Sequence, residues 1–372
     1  RCAVPPTTER VNVDSTGWPA NGSSWEPSIS GDGRYVAFSS SATNLVAGDT
    51  NQVTDVFVRD RTLGTTSRVS VSSNGVQGNG LSLHPAIAAN GPIVAFVSEA
   101  TNLVSGDSNG VKDVFVYNQT NGLVRRVSVS SSGGQGYGVS DNPAVSADGC
   151  YVAYESVSSL VTFDNNGRAD VFVHNLCAGY GAPKGATVRV SVNSSEEEGD
   201  RESYDAAISG DGRYVAFESW ATNLGDDAPG LKDVFVRDRT TGATAWVSVP
   251  DINSPDDFGD GDSGDPSITV DGDNGNCYLV VFESWATNLD PSVLEDEDLD
   301  QDSDVFLRDQ CAGTTARVSL HNNDLPEYAI GREDSVDPII VAGGQFVVFK
   351  SRTSDLVTGD DNGEADVFFV EQ

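Results

Sequence analysis

Oxygen-bearing side chains recur at a fixed spacing along this sequence. Residues 43–60 read TNLVAGDTNQVTDVFVRD, and residues 101–118 read TNLVSGDSNGVKDVFVYN, which is nearly the same phrase. Each copy has an Asp, an Asn or Asp two residues later, and a further Asp four residues beyond. Alternate oxygen ligands on a loop that glycine allows to wrap tightly suit Ca²⁺. The same side chains also bond their own backbone in turns that hold no metal.

The sequence does not decide between a Ca²⁺ site and a metal-free turn, but the differences among the six copies of the phrase bear on it. The fourth copy, residues 226–233, reads DDAPGLKD and lacks the asparagine. The fifth crowds aspartates between residues 298 and 304, and crowded carboxylates repel one another unless a cation lies between them. We expect several Ca²⁺ ions as cofactors. The candidate ligands are Asp49, Asn51, Asp55, Asp107, Asn109, Asp113, Asp164, Asn166, Asp170, Asp227, Asp233, Asp298, Asp300, Asp304, Asp360, Asn362 and Asp366.

A second polar set begins the first apolar run of every repeat. A serine recurs there, and two residues later comes a polar residue whose type varies from copy to copy. If these side chains converge, they offer a cation or polar ligand several carboxylates and one imidazole. If they do not, they bond neighbouring strand ends, although such a bond would not need the variation in type. The six candidates are Glu26, His84, Asn142, Asp205, Asp265 and Asp337.

Acidic residues dominate the charge of the chain. There are 56 Asp and Glu against 22 Lys and Arg, which gives a net charge of −34. Such a protein repels phosphate backbones, so we expect no nucleic-acid partner. Bound divalent cations, a saline habitat and a basic partner remain as explanations of the charge. We expect no membrane span, because no stretch approaches the roughly 18 apolar residues that a spanning helix needs.

The elements that must position these residues are short strands. Each repeat has four short apolar runs separated by turn residues, as at 27–30, 35–40, 55–60 and 67–72 in the first. This pattern predicts antiparallel strands, and four of them repeated radially make a β-propeller. We predict an all-β, six-bladed β-propeller of four-stranded antiparallel blades in a single domain, 1–372. The blades span about 24–72, 82–130, 140–193, 203–250, 263–321 and 335–372.

The sixth repeat ends after its third strand. Its missing fourth strand matches residues 9–13, ERVNV, because the equivalent run in the first repeat reads RVSV at 68–71. We therefore expect the N-terminal strand to complete the last blade and close the ring. Closure would cover the strand edges that an open array leaves exposed.

Two phrases carry a resemblance to a known family. SGDGRYVAFSS and GDTNQVTDVFVRD resemble the repeats of TolB-like six-bladed β-propellers, and the resemblance extends over all six units. It implies the propeller fold and a role as a periplasmic or extracellular binding module, or as the propeller domain of a peptidase. Because the six units occupy the chain, we do not carry the peptidase activity over.

Four of the five cysteines occupy matching places in two repeats. Cys150 and Cys277 each open a strand, and Cys177 and Cys311 each close the next one. Matching ends of adjacent antiparallel strands lie close enough for disulfides, so we predict Cys150–Cys177 and Cys277–Cys311. Disulfides indicate an oxidising compartment, and we expect a secreted protein, extracellular or periplasmic. Cys2 is left over and could link two chains in self-assembly.

Propeller geometry places the long acidic connections on one face. The segments 193–203, 250–265 and 290–304 belong to this face, and their field attracts cations or a basic partner. Trp220 and Trp285 follow the second strand of consecutive blades on the same face. Exposed, they would bind a sugar or a protein partner; buried between blades, they would fill the core.

These features favour a secreted, calcium-binding propeller that acts as a non-catalytic binding or structural module through its acidic, loop-rich face. The partner is an unidentified protein or carbohydrate, and a basic one suits the charge. The alternative is an enzyme of the lyase or glycoside hydrolase type with its site at the mouth of the central channel. There His84 could form an acid–base pair with Glu26 or Asp337. The sequence has three histidines and no GxSxG motif, which favours the binding module.

Overall fold

The computed structural model describes residues 8–180, 182–225, 230–250, 258–271, 277–290, 302–320, 334–341, 343–353, 356–357 and 364–371. The regular elements within these ranges are β-strands. No helix in the described part of the chain is long and apolar enough to cross a membrane.

The strands follow the six repeats in order. The first three blades contain β1 (Ser24–Ile29), β2 (Tyr35–Ser40), β3 (Asp55–Asp60), β4 (Thr65–Arg68), β5 (Ser82–Ile87), β6 (Ile93–Ser98), β7 (Asp113–Asn118), β8 (Leu123–Arg126), β9 (Ser140–Val145), β10 (Tyr151–Ser156), β11 (Asp170–Asn175) and β12 (Thr187–Arg189). The last three contain β13 (Ser203–Ile208), β14 (Tyr214–Ser219), β15 (Asp233–Asp238), β16 (Ala243–Trp246), β17 (Ser263–Asp271), β18 (Cys277–Ser284), β19 (Asp304–Asp309), β20 (Thr314–Arg317), β21 (Ser335–Ile340), β22 (Phe346–Ser351) and β23 (Asp366–Glu371).

Each repeat forms one antiparallel sheet, and the six sheets make the blades of a propeller. Five sheets have four strands in sequential order, and the sixth has the three strands β21, β22 and β23. The predicted all-β, six-bladed propeller is confirmed. The first strand of blade 1 begins three residues earlier than predicted, at Ser24, and the fourth ends earlier, at Arg68.

Aromatic pairs across the second and third strands fill the blades. Phe38 pairs with Phe57 in the register of β2 and β3, and their ring centroids lie 6.0 Å apart. Phe217 and Phe235 repeat the arrangement in blade 4 at the same 6.0 Å. These cross-strand pairs each contribute a few tenths to about 1 kcal/mol beyond alanine. All four rings are almost completely buried, so the cores hold the strands rigidly beneath the loops.

The hairpin between the first two strands is fixed by an aspartate. In blade 1 the Asp32 carboxylate accepts hydrogen bonds from Ser30 Oγ at 2.7 Å and from the Arg34 amide at 3.0 Å. Gly33 follows with φ 69°, a conformation that glycine adopts without steric cost. The repeated GDG sequence is therefore a turn at the end of the blade that faces away from the start of β1.

The N-terminal segment packs on blade 1 in the way that one blade packs on the next. Val13 O accepts a hydrogen bond from Thr66 Oγ1, just as Val192 O accepts one from Thr244 Oγ1 between blades 3 and 4. Residues 13–20 thus lie where the end of the sixth blade should meet the first. In the described ranges no strand pairing joins residues 9–13 to β23, so ring closure by this strand stays a prediction.

Both predicted disulfides are present. Cys150–Cys177 joins segments of blade 3 with Cα atoms 5.0 Å apart, and Cys277–Cys311 does the same in blade 5 at 5.6 Å. Cys2 lies outside the described residues.

Candidate functional site at the channel mouth

The six polar residues near the start of the first strands share an unusual backbone conformation. Their φ angles are 53° at Glu26, 50° at His84, 45° at Asn142, 45° at Asp205, 46° at Asp265 and 55° at Asp337. In each blade the pairing register between the first two strands shifts at this point, so the residue forms a bulge. A left-handed residue other than glycine costs on the order of 1–2 kcal/mol. Strain repeated in every blade is typical of a functional position.

The bulges bring these six residues together. They line one cavity of about 420 Å³, with a proline after five of them. A following proline favours extended backbone at negative φ, so it does not by itself explain the left-handed conformation of these residues. The six residues therefore converge on one cavity, as a binding site at the channel mouth requires.

One side of the mouth is a chain of opposite charges, which we call the paired cluster. His84 Nδ1 lies 2.6 Å from Asp141 Oδ1, and His84 Nε2 lies 3.2 Å from Glu26 Oε1. Lys112 Nζ donates to Asp141 Oδ2 at 2.8 Å. The hydrogen bond with Asp141 raises the pKa of His84. Burial opposes ionisation of Asp141, but hydrogen bonds from His84 and Lys112 outweigh it and lower its pKa to about 2.

The other side is rich in carboxyl groups, and we call it the acidic cluster: Glu155, Asp205, Glu218, Asp265 and Glu283. Carboxylate oxygens of Asp205, Glu218 and Asp265 all lie within 4.8 Å of one another. Lys232 Nζ donates to Glu218 Oε2 at 2.8 Å and is the cation that the described residues supply here. Burial and then the charges of Glu218 and Glu155 raise the pKa of Asp205 to about 7. Burial also raises the pKa of Glu155, Glu218 and Glu283.

The bulge links consecutive blades through these carboxylates. Glu155 Oε2 accepts a hydrogen bond from the Asp205 amide at 3.1 Å, and Glu218 Oε2 accepts one from the Asp265 amide at 3.3 Å. On the other side Glu26 Oε2 accepts from the His84 amide at 2.9 Å. Glu26, His84, Asp205 and Asp265 therefore take part in hydrogen bonds between blades, which is the structural role that the sequence left open. The same four residues also line the cavity.

Sequence reasoning missed three of the five residues of the acidic cluster. Glu155, Glu218 and Glu283 come from the second strands, which read as ordinary apolar runs. The available signal was a glutamate in place of Ser39, Val97 or Lys350 at the same position of the other blades. Lys112 and Asp141 were missed as well, because their contact crosses from one blade to the next. Lys232 was missed because it precedes a strand and meets Glu218 on the neighbouring strand of its own blade.

The repeated Asp and Asn residues of the loops surround an arginine in blades 1 and 2. Arg68 NH1 lies 3.2 Å from Asp49 Oδ1 and 3.3 Å from Asp55 Oδ2. The Asn51 amide donates to Asp55 and to the Gly78 carbonyl, both at 3.0 Å. In blade 2 Arg126 takes the same place between Asp107 and Asp113, and Asn109 donates to Asp113. The guanidinium supplies positive charge at the point where a metal was predicted.

Blade 3 adds a carboxylate to this arrangement. Arg189 NH1 lies 2.5 Å from Glu198 Oε1, 3.3 Å from Asp170 Oδ2 and 3.8 Å from Asp164 Oδ1. Burial raises the pKa of Asp170 to about 6 despite a hydrogen bond from Ser191. The Asn166 amide donates to the Gly199 carbonyl at 2.8 Å and so ties the loop to the next connection.

The later blades show what happens when the arginine changes. Blade 5 keeps it, since Arg317 NH2 lies 2.6 Å from Asp304 Oδ1. In blade 4 the position is Trp246, whose indole donates to Asp233 Oδ1 at 2.9 Å, and this is the blade whose loop sequence has lost the asparagine. Asp366 begins β23. The remaining candidate ligands Asp227, Asp298, Asp300, Asp360 and Asn362 lie outside the described residues.

The two tryptophans on the loop face differ in exposure, since Trp220 is half-buried and Trp285 is exposed. Trp220 is half-buried, contacts Tyr204 edge-on at 6.3 Å between centroids, and has Lys232 Nζ 5.4 Å from its ring. Trp285 is 37% exposed. Neither is a buried core residue, and Trp220 adjoins the acidic cluster through Lys232.

Comparisons with known proteins identify the architecture but no close relative. No protein-family model and no curated protein matches the chain. Among solved structures, TolB from Acinetobacter baumannii is 15% identical, with 70% of this chain and 51% of that chain covered and a TM-score of 0.38. A putative TolB from Agrobacterium tumefaciens is 14% identical, with 95% and 92% covered and a TM-score of 0.43.

An acylaminoacyl peptidase, solved with a chloromethyl ketone, has a higher TM-score of 0.51 at 10% identity. The alignment covers 94% of this chain but 44% of the peptidase, so the chain spans less than half of that enzyme. Likeness at this level of identity concerns the fold. It agrees with the six blades described above and leaves function to the site itself.

Proposed function

We propose that the protein is a non-catalytic binding module that holds a positively charged group of its ligand at the channel mouth. The observation that carries this proposal is the asymmetry of the channel mouth: one side is internally neutralised, whereas the other gathers the five carboxyl groups of the acidic cluster around Lys232. Of these five, Asp205 and Asp265 line the cavity. Burial weakens the screening of these charges by water, so a cation entering the cavity is attracted strongly. The proposed partner is a protein with a basic segment.

The paired cluster gives no support to the catalytic alternative. Both nitrogens of His84 lie within hydrogen-bond distance of a carboxylate, which favours the doubly protonated imidazolium. A general base needs a free lone pair and a pKa near the working pH. His84 instead serves as a fixed positive charge between Glu26 and Asp141, and we propose no reaction.

The proposed location is extracellular or periplasmic. Its support is the pair of disulfides, because such bonds persist in oxidising compartments. Self-assembly through Cys2 is a separate prediction that mass analysis under non-reducing conditions would test.

Calcium binding by the repeated loops remains a proposal, and the geometry divides the copies. In blades 1, 2 and 5 an arginine already lies among the loop carboxylates, so these loops need a metal least. In blade 3 the arginine faces three carboxylates, whose oxygens lie within 4.8 Å of one another. A thermal melt after chelation, with and without millimolar Ca²⁺, tests the whole set. Loop-bound calcium would raise the melting temperature by ligand linkage, and an unchanged melt would leave the loops as turns held by ion pairs.

The proposed ligand class is tested with a fluorescent octalysine peptide at 150 mM salt. We expect the double variant Asp205→Asn/Asp265→Asn to weaken binding at least about tenfold, which corresponds to roughly 1.4 kcal/mol. The matched control is Asp32→Asn/Asp211→Asn, which removes the same charge from hairpins at the far end of the strands.

The control should change peptide affinity by less than about threefold, because distant exposed charges are screened at this salt concentration. Equal losses in the two double variants would mean attraction to net charge alone and would refute a site at the channel mouth. An octaglutamate peptide serves as the negative probe.

A further inference from the structure

Glu283 departs from the pattern of the other two second-strand glutamates. Glu155 and Glu218 each accept a hydrogen bond from the amide of the bulge residue in the next blade. Glu283 is 6% exposed, and its Oε2 has no hydrogen-bond partner among the described residues. A buried carboxylate oxygen without a partner costs on the order of 1–3 kcal/mol, and more when it is charged. This atom needs a positively charged or donating partner.

The side chain of Glu283 faces the rest of the acidic cluster. Gly264, which precedes Asp265, pairs with Glu283 across β17 and β18. Directly paired residues project to the same face of a sheet, and a Cβ atom at Gly264 would lie 2.2 Å from Glu218 Oε2. The unpartnered oxygen therefore belongs to the same group of carboxylates as Asp205, Glu218 and Asp265.

The dimensions of this group suit one ion. Oxygens of Asp205, Glu218 and Asp265 lie within 4.8 Å of one another. Two oxygens on opposite sides of a Ca²⁺ ion, each at about 2.4 Å, are about 4.8 Å apart, and closer pairs subtend smaller angles. Several carboxylates in an irregular arrangement suit Ca²⁺ better than Mg²⁺, which demands a regular octahedron and keeps its waters. The four side chains offer oxygen only, which does not suit metals that select imidazole or thiolate.

A glycine makes room for the group. A Cβ atom at Gly264 would lie 2.2 Å from Glu218 Oε2 and 2.6 Å from Lys232 Nζ. The equivalent positions carry side chains in other blades, among them Leu83, Asp141 and Tyr204. Blade 5 thus lacks a side chain at the point where the Glu218 carboxylate enters the cluster.

We propose that Asp205, Glu218, Asp265 and Glu283 form a binding site for a single calcium ion in the wall of the channel mouth. This inference rests on the proposed function and names the cationic group that the acidic cluster takes. Lys232 acts as the resident counter-ion that holds Glu218 when the metal is absent. The loop sequences with their arginines are not part of this site.

The test uses the full-length protein, freed of metal by a chelator and titrated with CaCl₂ in a calorimeter. We expect one equivalent of Ca²⁺ to be lost or weakened at least about tenfold in Asp265→Asn and in Glu283→Gln. The matched control is Asp32→Asn, which removes a carboxylate from a hairpin at the far end of a blade and should shift the affinity less than about twofold. Equal affinity in wild type, Asp265→Asn and Glu283→Gln overturns the site, as does the absence of calcium binding in wild type.

Two further variants separate geometry from charge. Gly264→Ala removes no carboxyl group but displaces the Glu218 carboxylate, so we expect it to weaken calcium binding at least about tenfold. Lys232→Met removes the competing cation and should tighten binding. Tighter or unchanged binding in Gly264→Ala would contradict the proposed ligand arrangement.

A luminescence measurement locates the ion independently. Tb³⁺ replaces Ca²⁺ and emits when a nearby tryptophan is excited, and Trp220 lies next to Lys232. We expect Trp220→Phe to remove most of the sensitised emission while calcium binding by calorimetry persists. Emission that survives in Trp220→Phe but disappears with a change in the loops would place the ion elsewhere and overturn the proposal.

The octalysine probe distinguishes the two proposals. If the peptide binds in a manner that depends on Asp265 and calcium does not bind, the proposed function holds and the calcium site is wrong. If neither binds at the acidic cluster, both proposals fail. Each variant is first checked by its unfolding curve, and Glu283→Gln, which keeps the shape of the side chain, provides the decisive result if Asp265→Asn does not fold.

Discussion

On one side of the channel mouth His84 lies between Glu26 and Asp141, and Lys112 completes a chain in which every charge has an opposite neighbour. On the other side Lys232 serves Glu218 within a group of five carboxyl groups. Both sides use the same bulged first strand and the same left-handed residue. The comparison shows that the repeat fixes the backbone position of these side chains, whereas a few differences in residue type decide whether their charges neutralise one another or leave carboxyl groups in excess.

Replacing each of the two lysines tests most directly whether the two sides of the channel mouth differ in charge balance. Lys232→Met leaves Glu218, whose side chain is 6% exposed, without its cation, and we expect a loss of about 3 kcal/mol in the free energy of unfolding. Lys112→Met leaves Asp141 bound to His84, so the loss should be about 1 kcal/mol. Urea unfolding of both variants in the presence of a chelator measures the difference. Equal losses would show that the two sides are electrostatically alike.

Acid titration examines the paired cluster alone. Asp141 has a folded pKa of about 2 against 3.8 ordinarily, so its contribution is complete above pH 4 and is lost as the pH falls through 3.8 toward 2. The shift corresponds to about 2 kcal/mol. Between pH 5 and pH 2 the free energy of unfolding of Asp141→Asn should therefore fall by about this amount less than that of the wild type. Lys232→Met, which leaves the paired cluster intact, should show the full decline of the wild type, and a full decline in Asp141→Asn would contradict the assignment.

Gly264 tests whether the acidic side depends on empty space. Its alanine variant pushes apart Glu218 and Lys232, and we expect a loss of about 1–2 kcal/mol. The control is Gly210→Ala, where the nearest atom to a new Cβ is Ala147 Cβ at 3.4 Å, an ordinary contact. Thermal melts should lower the melting temperature of the first variant and hardly change that of the second. Similar melts would mean that the ion pair moves aside freely.

The smallest effect concerns backbone strain at the bulge. Asp337 has φ 55° and a side chain that is 66% exposed, so Asp337→Gly should raise the free energy of unfolding by up to about 1 kcal/mol. Asn142→Gly relieves the same strain but loses a hydrogen bond to Asp205 at 3.0 Å, so we expect no gain. Chemical denaturation of the two variants decides the matter, and destabilisation of both would mean that the left-handed conformation is not strained.

Much of the fold could be predicted from the repeats, because strands and turns depend on local sequence. The GDG hairpins, the four runs per blade and the two disulfides followed from spacing, and the structure confirms them. The repeats also marked the six bulge residues as equivalent positions, but whether they converge or bond neighbouring strand ends was left open until the structure placed them around one cavity. Their left-handed conformation did not follow from the sequence, because a polar residue before proline gives no clear sign of a bulge.

The sequence did not show which charged side chains pair with one another. Asp55 and Arg68 meet because β3 pairs with β4, and Glu26 meets His84 because two blades are adjacent, 58 positions apart in the chain. The sequence predicted that the loop acids are metal ligands because it did not show that an arginine of the fourth strand lies between them. Composition determined that the protein is acidic and repetitive. Only the tertiary structure decided which carboxylates are neutralised, because charge is balanced across distances of a few ångströms between strands that the sequence separates.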